Sequence, residues 1–340
     1  MSAPITPDDD EADLWFLPGP PGLDPETPPG LHREEPGEAD VLAEWQRAEA
    51  GQAARLAQVA GRLGALDDRL MRGPEGWRNR LALIEAAELS WFAGDRISAD
   101  RLALWVALRL SGVQEDAAAL ARAGWAVRRL GGGPGPEAGL PAFLGRHDTA
   151  PDAADPFAER AGSWEALMAR GAALHPITRA CMGFHLWALA GLAGTEGRGG
   201  VTEAAVTAAR SAAGAGQGAL FVPLVMGGAA ALRPGGAPAI RLKRWLDGME
   251  GALLTAMRHL DQLEAWDARA RAVMSPLSGR TPGLLRAALA DWPLVSAPMA
   301  EALTGASRAA VQRNLAWMEG RGLIHEVTGQ GRFRMWRAAL

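Results

Sequence analysis

Several residue types are scarce in this chain, and each scarcity argues against a class of protein. A single cysteine, Cys181, among 340 residues excludes an internal disulfide framework and a cysteine-rich zinc site. No apolar run reaches the roughly 20 residues that a membrane-spanning helix needs. The N-terminus also lacks the basic and apolar regions of a secretory signal peptide. We therefore expect a cytoplasmic protein.

Tyrosine is absent and Lys243 is the only lysine, so almost all of the positive charge is carried by arginine. The formal net charge is -4, which means that any basic surface must be local. Hydrophobic residues make up 48% of the chain, as in an ordinary globular protein, and abundant alanine favours helix. The length suits two domains.

The last sixty residues, 281–340, carry the clearest pattern. Apolar residues at helical spacing predict a first helix over 282–292. Ser296 is placed to cap a short second helix, and Gly305 supplies a tight turn after it. Ser307 is then placed to cap a third helix over 308–321. Two short helices joined by such a turn are typical of a helix-turn-helix.

The period of the apolar residues changes from 3.6 to 2 after Gly322, which is placed to end the third helix in a left-handed conformation. Residues 323–327 predict a short strand, 328–331 a glycine-containing turn, and 333–336 the partner strand. This pattern predicts a β-wing, so we expect residues 281–340 to form a winged helix-turn-helix.

The chemistry of this segment favours binding to double-stranded DNA. The start of the third helix would enter the major groove, where arginine suits guanine edges and glutamine suits adenine edges. Wing arginines would lie near phosphates or a minor groove. The segment holds seven arginines against four acidic residues. The predicted DNA-binding residues are Ser307, Arg308, Gln312, Arg313, Arg332 and Arg334. An alternative is a winged helix that serves only protein contacts or dimerisation.

The same residues carry a resemblance to known families. The run PLVSAPMAEALTGASRAAVQRNLAWMEGRGLIHEVTG resembles the winged helix that closes many Fic-family proteins. It is closer still to the end of an uncharacterised bacterial family that pairs a helical domain of unknown function with a helix-turn-helix. The resemblance is specific over roughly the last fifty residues and weaker upstream.

Upstream segments are only distantly Fic-like. Ser90 and Gly94 match a Fic-like N-terminal segment, but Ala93 stands where some Fic proteins have an inhibitory glutamate. His175-Pro176 matches the opening of the Fic active-site motif, yet residues 180–183 (ACMG) lack the glycine-rich phosphate turn, the metal-binding acid and the arginine. The resemblance implies a degenerate Fic-like domain that has lost its active-site motif.

His175, Cys181 and His185 are the other residues with ligand chemistry. A usable zinc site needs three or four ligands, and no carboxylate lies in register nearby. We therefore predict a buried helix here, with His175 as a cap or hydrogen-bonded residue. The sequence gives no catalytic residue, no cofactor-binding residue and no metal ligand.

The remaining chain predicts a mostly α fold with three parts. Residues 1–38 are acidic and rich in Pro and Gly, which predicts a disordered tail. Residues 40–274 predict a helical domain that ends in one long helix, 240–271. Within it we expect a connecting loop over about 131–160 and a buried helix or two over 220–232.

These observations lead to one main functional prediction and two alternatives. The main prediction is a sequence-specific DNA-binding protein, a transcriptional regulator that acts as a homodimer without membrane contact. One alternative is a catalytically divergent Fic-like nucleotide transferase, for which no anion-binding loop is found. The other is a phage- or plasmid-associated protein-interaction module.

Overall fold

The protein is mostly α-helical, in a computed structural model that describes residues 38–108, 116–146, 156–193, 197–214, 216–329 and 334–340. All of these residues belong to one compact unit, Glu38–Leu340. We call residues 38–274 the helical body and residues 281–340 the C-terminal module. The helices of the body are α1 (Glu38–Gly51), α2 (Ala53–Arg72), α3 (Gly76–Ala93), α4 (Ala99–Leu108), α5 (Ala117–Gly131), α6 (Leu140–Leu144), α7 (Pro156–Arg170), α8 (Pro176–Leu186), α9 (Arg198–Ala213) and α10 (Pro238–Val273).

The C-terminal module combines three helices with a small antiparallel sheet. Strand β3 lies between β1 and β2, with Val295 opposite Trp336 and Ile324 opposite Ala338. The sequence predicted only two strands, because the two-residue β1 is too short to show a period. The elements in chain order are α11 (Thr281–Asp291), β1 (Val295–Ser296), α12 (Ala297–Thr304), α13 (Arg308–Gly320), β2 (Ile324–Glu326) and β3 (Met335–Ala338).

Helix α3 lies at the centre of the body and is buried on most of its sides. Helices α4, α5, α9 and α11 all pack against it. Apolar residues lie on several sides of α3, which suits the interior position that it takes. Its first turn approaches α11 so closely that Gly76 is required: a Cβ there would lie 2.0 Å from Cγ of Asp291.

Helix α10 links the body to the C-terminal module. It spans 36 residues, so the predicted long helix over 240–271 is confirmed, with two extra residues at each end. Trp245 and Leu253 belong to the core of the body, whereas Trp266 and Ala270 belong to the core of the module. The Trp266 indole N–H donates to the Leu323 carbonyl at 2.7 Å. One rigid helix therefore contributes to both cores.

A buried arginine fixes the end of α11 to α3. The Nη1 of Arg80 donates to the carbonyls of Leu289, Ala290 and Trp292 at 3.2, 3.3 and 2.8 Å. These are among the carbonyls that the end of a helix leaves without intrahelical partners, and a cation there is also favoured by the helix dipole. The Nε of Arg80 donates to Nε2 of His259 on α10 at 3.0 Å. Arg80 thus joins three helices.

The protonation states of this pair agree with the geometry. Burial lowers the pKa of Arg80 to about 10, so the guanidinium stays charged at neutral pH. Burial, and next the charge of Arg80, lower the pKa of His259 to about 4. The imidazole is therefore neutral, and its Nε2 is able to accept the hydrogen bond.

A buried carboxylate holds an irregular segment inside the core. Glu85 on α3 is fully buried and accepts the backbone N–H groups of Leu224 and Val225 at 2.7 and 3.1 Å. Buried backbone groups outside regular structure need such partners. Burial raises the pKa of Glu85 to about 7, although these hydrogen bonds act in the opposite direction.

Two predictions for the body are wrong. Residues 220–232 do not form a buried helix: they run irregularly through the core and end in one 3-10 turn, Ala230–Leu232. Pro223 and Gly227, with φ of 85°, disfavour a helix, and Glu85 accepts the N–H groups of Leu224 and Val225 that a helix would have paired. The expected loop over 131–160 contains a 3-10 turn (Pro136–Ala138), helix α6 and the start of α7. These elements begin or end at glycines and prolines, which in a sequence also indicate a loop.

Some expectations fall outside the described residues. The predicted disordered tail, residues 1–38, lies there except for Glu38, which begins α1. Among the described helices, none is long and apolar enough to cross a membrane.

Replacing Glu85 by Gln is expected to change how stability depends on pH. In wild type, the folded chain keeps the Glu85 proton up to a pKa of about 7, while the unfolded chain releases it near 4.5. The free energy of unfolding should therefore fall by about 3 kcal/mol from this group as pH rises between these values. Urea unfolding at pH 4.5–8 should show a wild-type-minus-E85Q difference that declines over this window.

The difference isolates Glu85 because every other titrating group is present in both proteins and cancels. Burial also raises the pKa of Glu88, Glu203 and Asp291, which act in the same direction as Glu85, whereas two histidines act in the opposite direction. The pKa values of His185 and His259 are lowered to about 4, so their contribution is lost as pH falls below about 6.5. Glu44→Gln, at an exposed position, is the matched control for replacing a glutamate by glutamine. A flat difference for E85Q would contradict the proposed protonation.

Replacing Arg80 by Met is expected to destabilise the contact between the body and the C-terminal module. The change leaves two buried carbonyls, one partly buried carbonyl and His259 without their donor, which should cost about 3 kcal/mol of unfolding free energy. Hydrogen exchange should show lost protection at the end of α11. Arg233→Met, at an exposed arginine, should change neither quantity. An R80M protein with wild-type stability would show that this buried contact is dispensable.

Candidate nucleic-acid interface

The corner between α12 and α13 is fixed by two helix caps and a glycine. Ser296 caps α12, its Oγ accepting the Met299 N–H at 3.2 Å, and Ser307 caps α13, its Oγ accepting the Ala310 N–H at 3.4 Å. Gly305 ends α12 in the left-handed conformation with φ of 63°. Each of these roles was predicted from the sequence and is confirmed. The direction of α13 therefore follows from local chemistry.

The buried face of α13 determines which residues it exposes. Val311, Leu315 and Met318 are fully buried against α11 and the sheet. Gln312 and Arg313 follow directly after a buried residue and are exposed. This arrangement leaves the first two turns of the other face open to solvent.

The four predicted residues lie at the N-cap and in the first two turns of α13. Ser307, Arg308, Gln312 and Arg313 are all exposed there. Arg308 donates from Nε to Oε1 of Glu301 on α12 at 3.0 Å, with 69% of its side chain exposed. Within the described residues, the side chains of Gln312 and Arg313 have no hydrogen-bond partner. These three side chains remain able to bind acceptors outside the protein.

The predicted wing arginine Arg334 is held by the protein itself. Its Nη2 donates to Oε2 of Glu319 at 3.0 Å, and its guanidinium lies 5.1 Å from the ring centre of Trp336. The Trp336 indole N–H donates to the same carboxylate at 3.3 Å. Arg332, the other predicted wing residue, lies outside the described part of the chain. Strands β2 and β3 remain paired next to Arg334, since the Val327 N–H donates to the Met335 carbonyl at 2.9 Å.

Sequence reasoning missed the two acids at this surface. Glu301 and Glu319 each neutralise one arginine that the sequence treated as available for DNA. A possible signal existed for Glu301, which lies on the helix preceding the turn, seven residues before Arg308. No local signal existed for Glu319, because its partner lies 15 residues away across the β-hairpin.

The other residues with ligand chemistry lie inside the body and have structural roles. His175 caps α8, its Nδ1 accepting the Ile177 N–H at 3.2 Å, as predicted. Cys181 is fully buried, and burial raises the pKa of its thiol well above the usual value. His185 packs against Trp45 and Trp245. Among the described residues, no group of three or more His, Cys, Asp or Glu side chains is arranged to hold a metal ion.

No family model matches this chain, and no curated protein shows significant sequence similarity to it. The functional assignment therefore depends on the chemistry of the residues.

Single substitutions at this surface are expected to separate folding from binding. Ser307→Ala removes a helix cap and should lower the free energy of unfolding by about 1 kcal/mol. Arg308→Ala removes only an exposed ion pair, so its effect should stay within about 0.5 kcal/mol. Arg313→Ala should be equally neutral. Urea unfolding measures all three, and a loss above 1.5 kcal/mol for R308A would mean that its ion pair supports the fold.

Proposed function

We propose that this protein binds double-stranded DNA in a sequence-specific manner, acts as a homodimer and regulates transcription. The main support is the exposed N-terminal end of α13, which combines one helix cap with three side chains suited to base edges: Arg308, Gln312 and Arg313. Arginine pairs with the O6 and N7 atoms of guanine, and glutamine with the N6 and N7 atoms of adenine.

The order of elements in the C-terminal module supports a winged helix-turn-helix. Three helices, a short strand after the first helix and a terminal hairpin give a sheet in the order β1-β3-β2. In such modules the second helix of the pair lies in the major groove, and α13 holds that position in the chain. Ala309, Ala316 and Gly320 are also exposed on α13. Because these residues are small, they allow the helix to approach DNA closely.

The ion pairs at this surface are compatible with DNA binding. The side chains of Arg308 and Arg334 are 69% and 41% exposed, so their pairs with Glu301 and Glu319 contribute about 0–1 kcal/mol each. A phosphate or guanine offers a comparable acceptor, and the exchange costs little. At a DNA site where an arginine keeps its internal ion pair, the negative charge of Glu301 or Glu319 would disfavour binding. The ion pairs therefore add discrimination between DNA sites.

A homodimer is proposed because one module offers few base contacts. A single recognition helix buries a modest interface, whereas two copies on neighbouring half-sites give useful affinity and a fixed spacing. The C-terminal module shares α10 and the Arg80 contact with the body, so pairing through the body would hold two α13 helices at a defined separation.

The enzyme alternative has less support. The imidazole of His175, the only match to a Fic catalytic residue, caps its own helix. Residues 180–183 lie within α8, so they form no phosphate-binding turn.

Sequencing of genomic fragments retained by the purified protein should recover one short, near-palindromic motif. The distance between its two halves then gives the separation of the two α13 helices. Retention without a shared motif would indicate an architectural role instead, and no retention would favour a protein partner.

On the recovered motif, Arg313→Ala and Arg308→Ala are expected to cost about 1–3 kcal/mol each, or roughly 5- to 150-fold in affinity. The same variants should affect a scrambled duplex far less, because they remove base contacts. Arg334→Ala should weaken both duplexes alike and reduce the slope of log K against log salt by about 1. Fluorescence anisotropy at several salt concentrations measures these effects.

Arg233→Ala, at an exposed arginine of the body, is the matched control and should bind both duplexes like wild type. Wild-type binding by R308A, R313A and R334A together would show that the DNA interface lies elsewhere.

A further inference from the structure

The helical body contains a cavity that the proposed DNA interface does not use. It lies between α7, α8 and α9, with the 3-10 turn Pro136–Ala138 at one side, and has a volume of about 630 Å³. Cavities of this size, mostly apolar with a few polar groups, are typical of small-molecule sites.

One side of the cavity is apolar and held in place. Trp164, Met168 and Phe184 line it, and the Trp164 indole N–H donates to the Gly183 carbonyl at 3.2 Å. A Cβ on Gly183 would lie 3.0 Å from both Met168 Sδ and Trp164 Cζ2, so glycine allows this close packing of α7 on α8. The indole is therefore fixed by a hydrogen bond and by packing, and it lines the cavity beside Met168 and Phe184, an aromatic lining that suits an aromatic group.

The opposite side is lined by small side chains and leaves space. Ala204 and Ala208 on α9 border the cavity, together with Thr207 and Ser211. The Thr207 hydroxyl already donates to the Glu203 carbonyl at 2.7 Å. The described α9 side chains that line the cavity are these four small ones and Arg210, which leaves room for a ligand of one or two rings.

Two arginines at the cavity have unused hydrogen-bonding capacity. The Nη2 of Arg210 donates to the Gly133 carbonyl at 2.8 Å, but its Nη1 is buried and has no acceptor among the described residues. The guanidinium of Arg179 likewise has no hydrogen-bond or ion-pair partner in the described part of the chain. A buried donor without an acceptor costs free energy, which a bound acceptor would recover.

The acids at the cavity do not supply that acceptor. Oε1 of Glu165 accepts the Leu140 N–H at 2.6 Å, at the start of α6. Glu137 is exposed and makes no hydrogen bond to either arginine in the described structure, although its charge partly offsets the effect of burial on the pKa of Arg210. The arginines therefore favour a ligand that brings its own negative charge.

We propose that this cavity binds a small aromatic carboxylate, with its ring against Trp164 and its carboxylate at Arg179 or Arg210. The aromatic side determines the shape of the ligand, and the arginines determine its charge. This inference concerns the body alone and does not depend on DNA binding.

Calorimetric titration of the full chain tests the proposal with four acids: 1-naphthoate, indole-3-acetate, phenylacetate and 4-hydroxybenzoate. At least one should bind with one-to-one stoichiometry and a Kd below about 1 mM. The matched neutral amide of the best acid should bind at least about tenfold more weakly, because it lacks the charge that the arginines favour. Equal binding of acid and amide, or no binding by any of the four acids, would overturn the proposal.

Variants locate the site. Arg179→Gln or Arg210→Gln should weaken the best acid at least about tenfold and leave its amide unchanged, whereas Arg233→Gln, at an exposed arginine outside the cavity, should bind both like wild type. Hydrogen exchange with the acid present should show added protection in α7, α8 and α9. This measurement needs no variant and remains decisive if a variant does not fold. Full affinity in both R179Q and R210Q, or protection confined to other helices, would place the ligand elsewhere and overturn the assignment.

Discussion

The contact of Arg80 with the end of α11 is the interaction on which the arrangement of this protein depends. One buried guanidinium satisfies carbonyls that the helix leaves open, and it also reaches His259 on α10. Because a buried charge must keep its partners, the end of α11 has one favourable position relative to α3. The C-terminal module is therefore part of a single unit with the body, and the direction of α13 is fixed relative to the whole molecule.

Helix α3 holds a second buried charge-bearing group, Glu85, five residues after Arg80. Both groups pair backbone atoms that have no other hydrogen-bond partner among the described residues. Arg80 donates to such carbonyls, and Glu85 accepts from such N–H groups. The partners of both side chains belong to segments that come much later in the chain. A helix buried on most sides is suited to this role, since its side chains reach several neighbouring segments at once. The cavity wall α9 packs on the same helix, so the proposed ligand site and the C-terminal module share one support.

The acidic residues beside the arginines reduce the positive charge of the proposed DNA-binding surface. The chain as a whole is negative, and Glu301 and Glu319 neutralise two of the arginines on the C-terminal module. Nonspecific attraction to DNA is then weaker than the arginine content suggests. Binding would require a sequence whose contacts replace the internal ion pairs, which favours specificity over general affinity.

The local features of the C-terminal module and the long helix α10 can be predicted from the amino-acid sequence alone. Ser296, Ser307 and Gly305 act within a few residues of their own position, so the neighbouring sequence is enough to predict their effect. The roles of Arg80 and Glu85 follow from the tertiary structure and from no local pattern. Their partners lie roughly 140 to 210 residues away, and a buried hydrogen bond over that distance leaves no local pattern. The irregular path of residues 220–229 has a local and a distant cause. Pro223 and Gly227 disfavour a helix within the sequence itself, whereas the carboxylate that accepts the N–H groups of Leu224 and Val225 is brought there only by the tertiary structure.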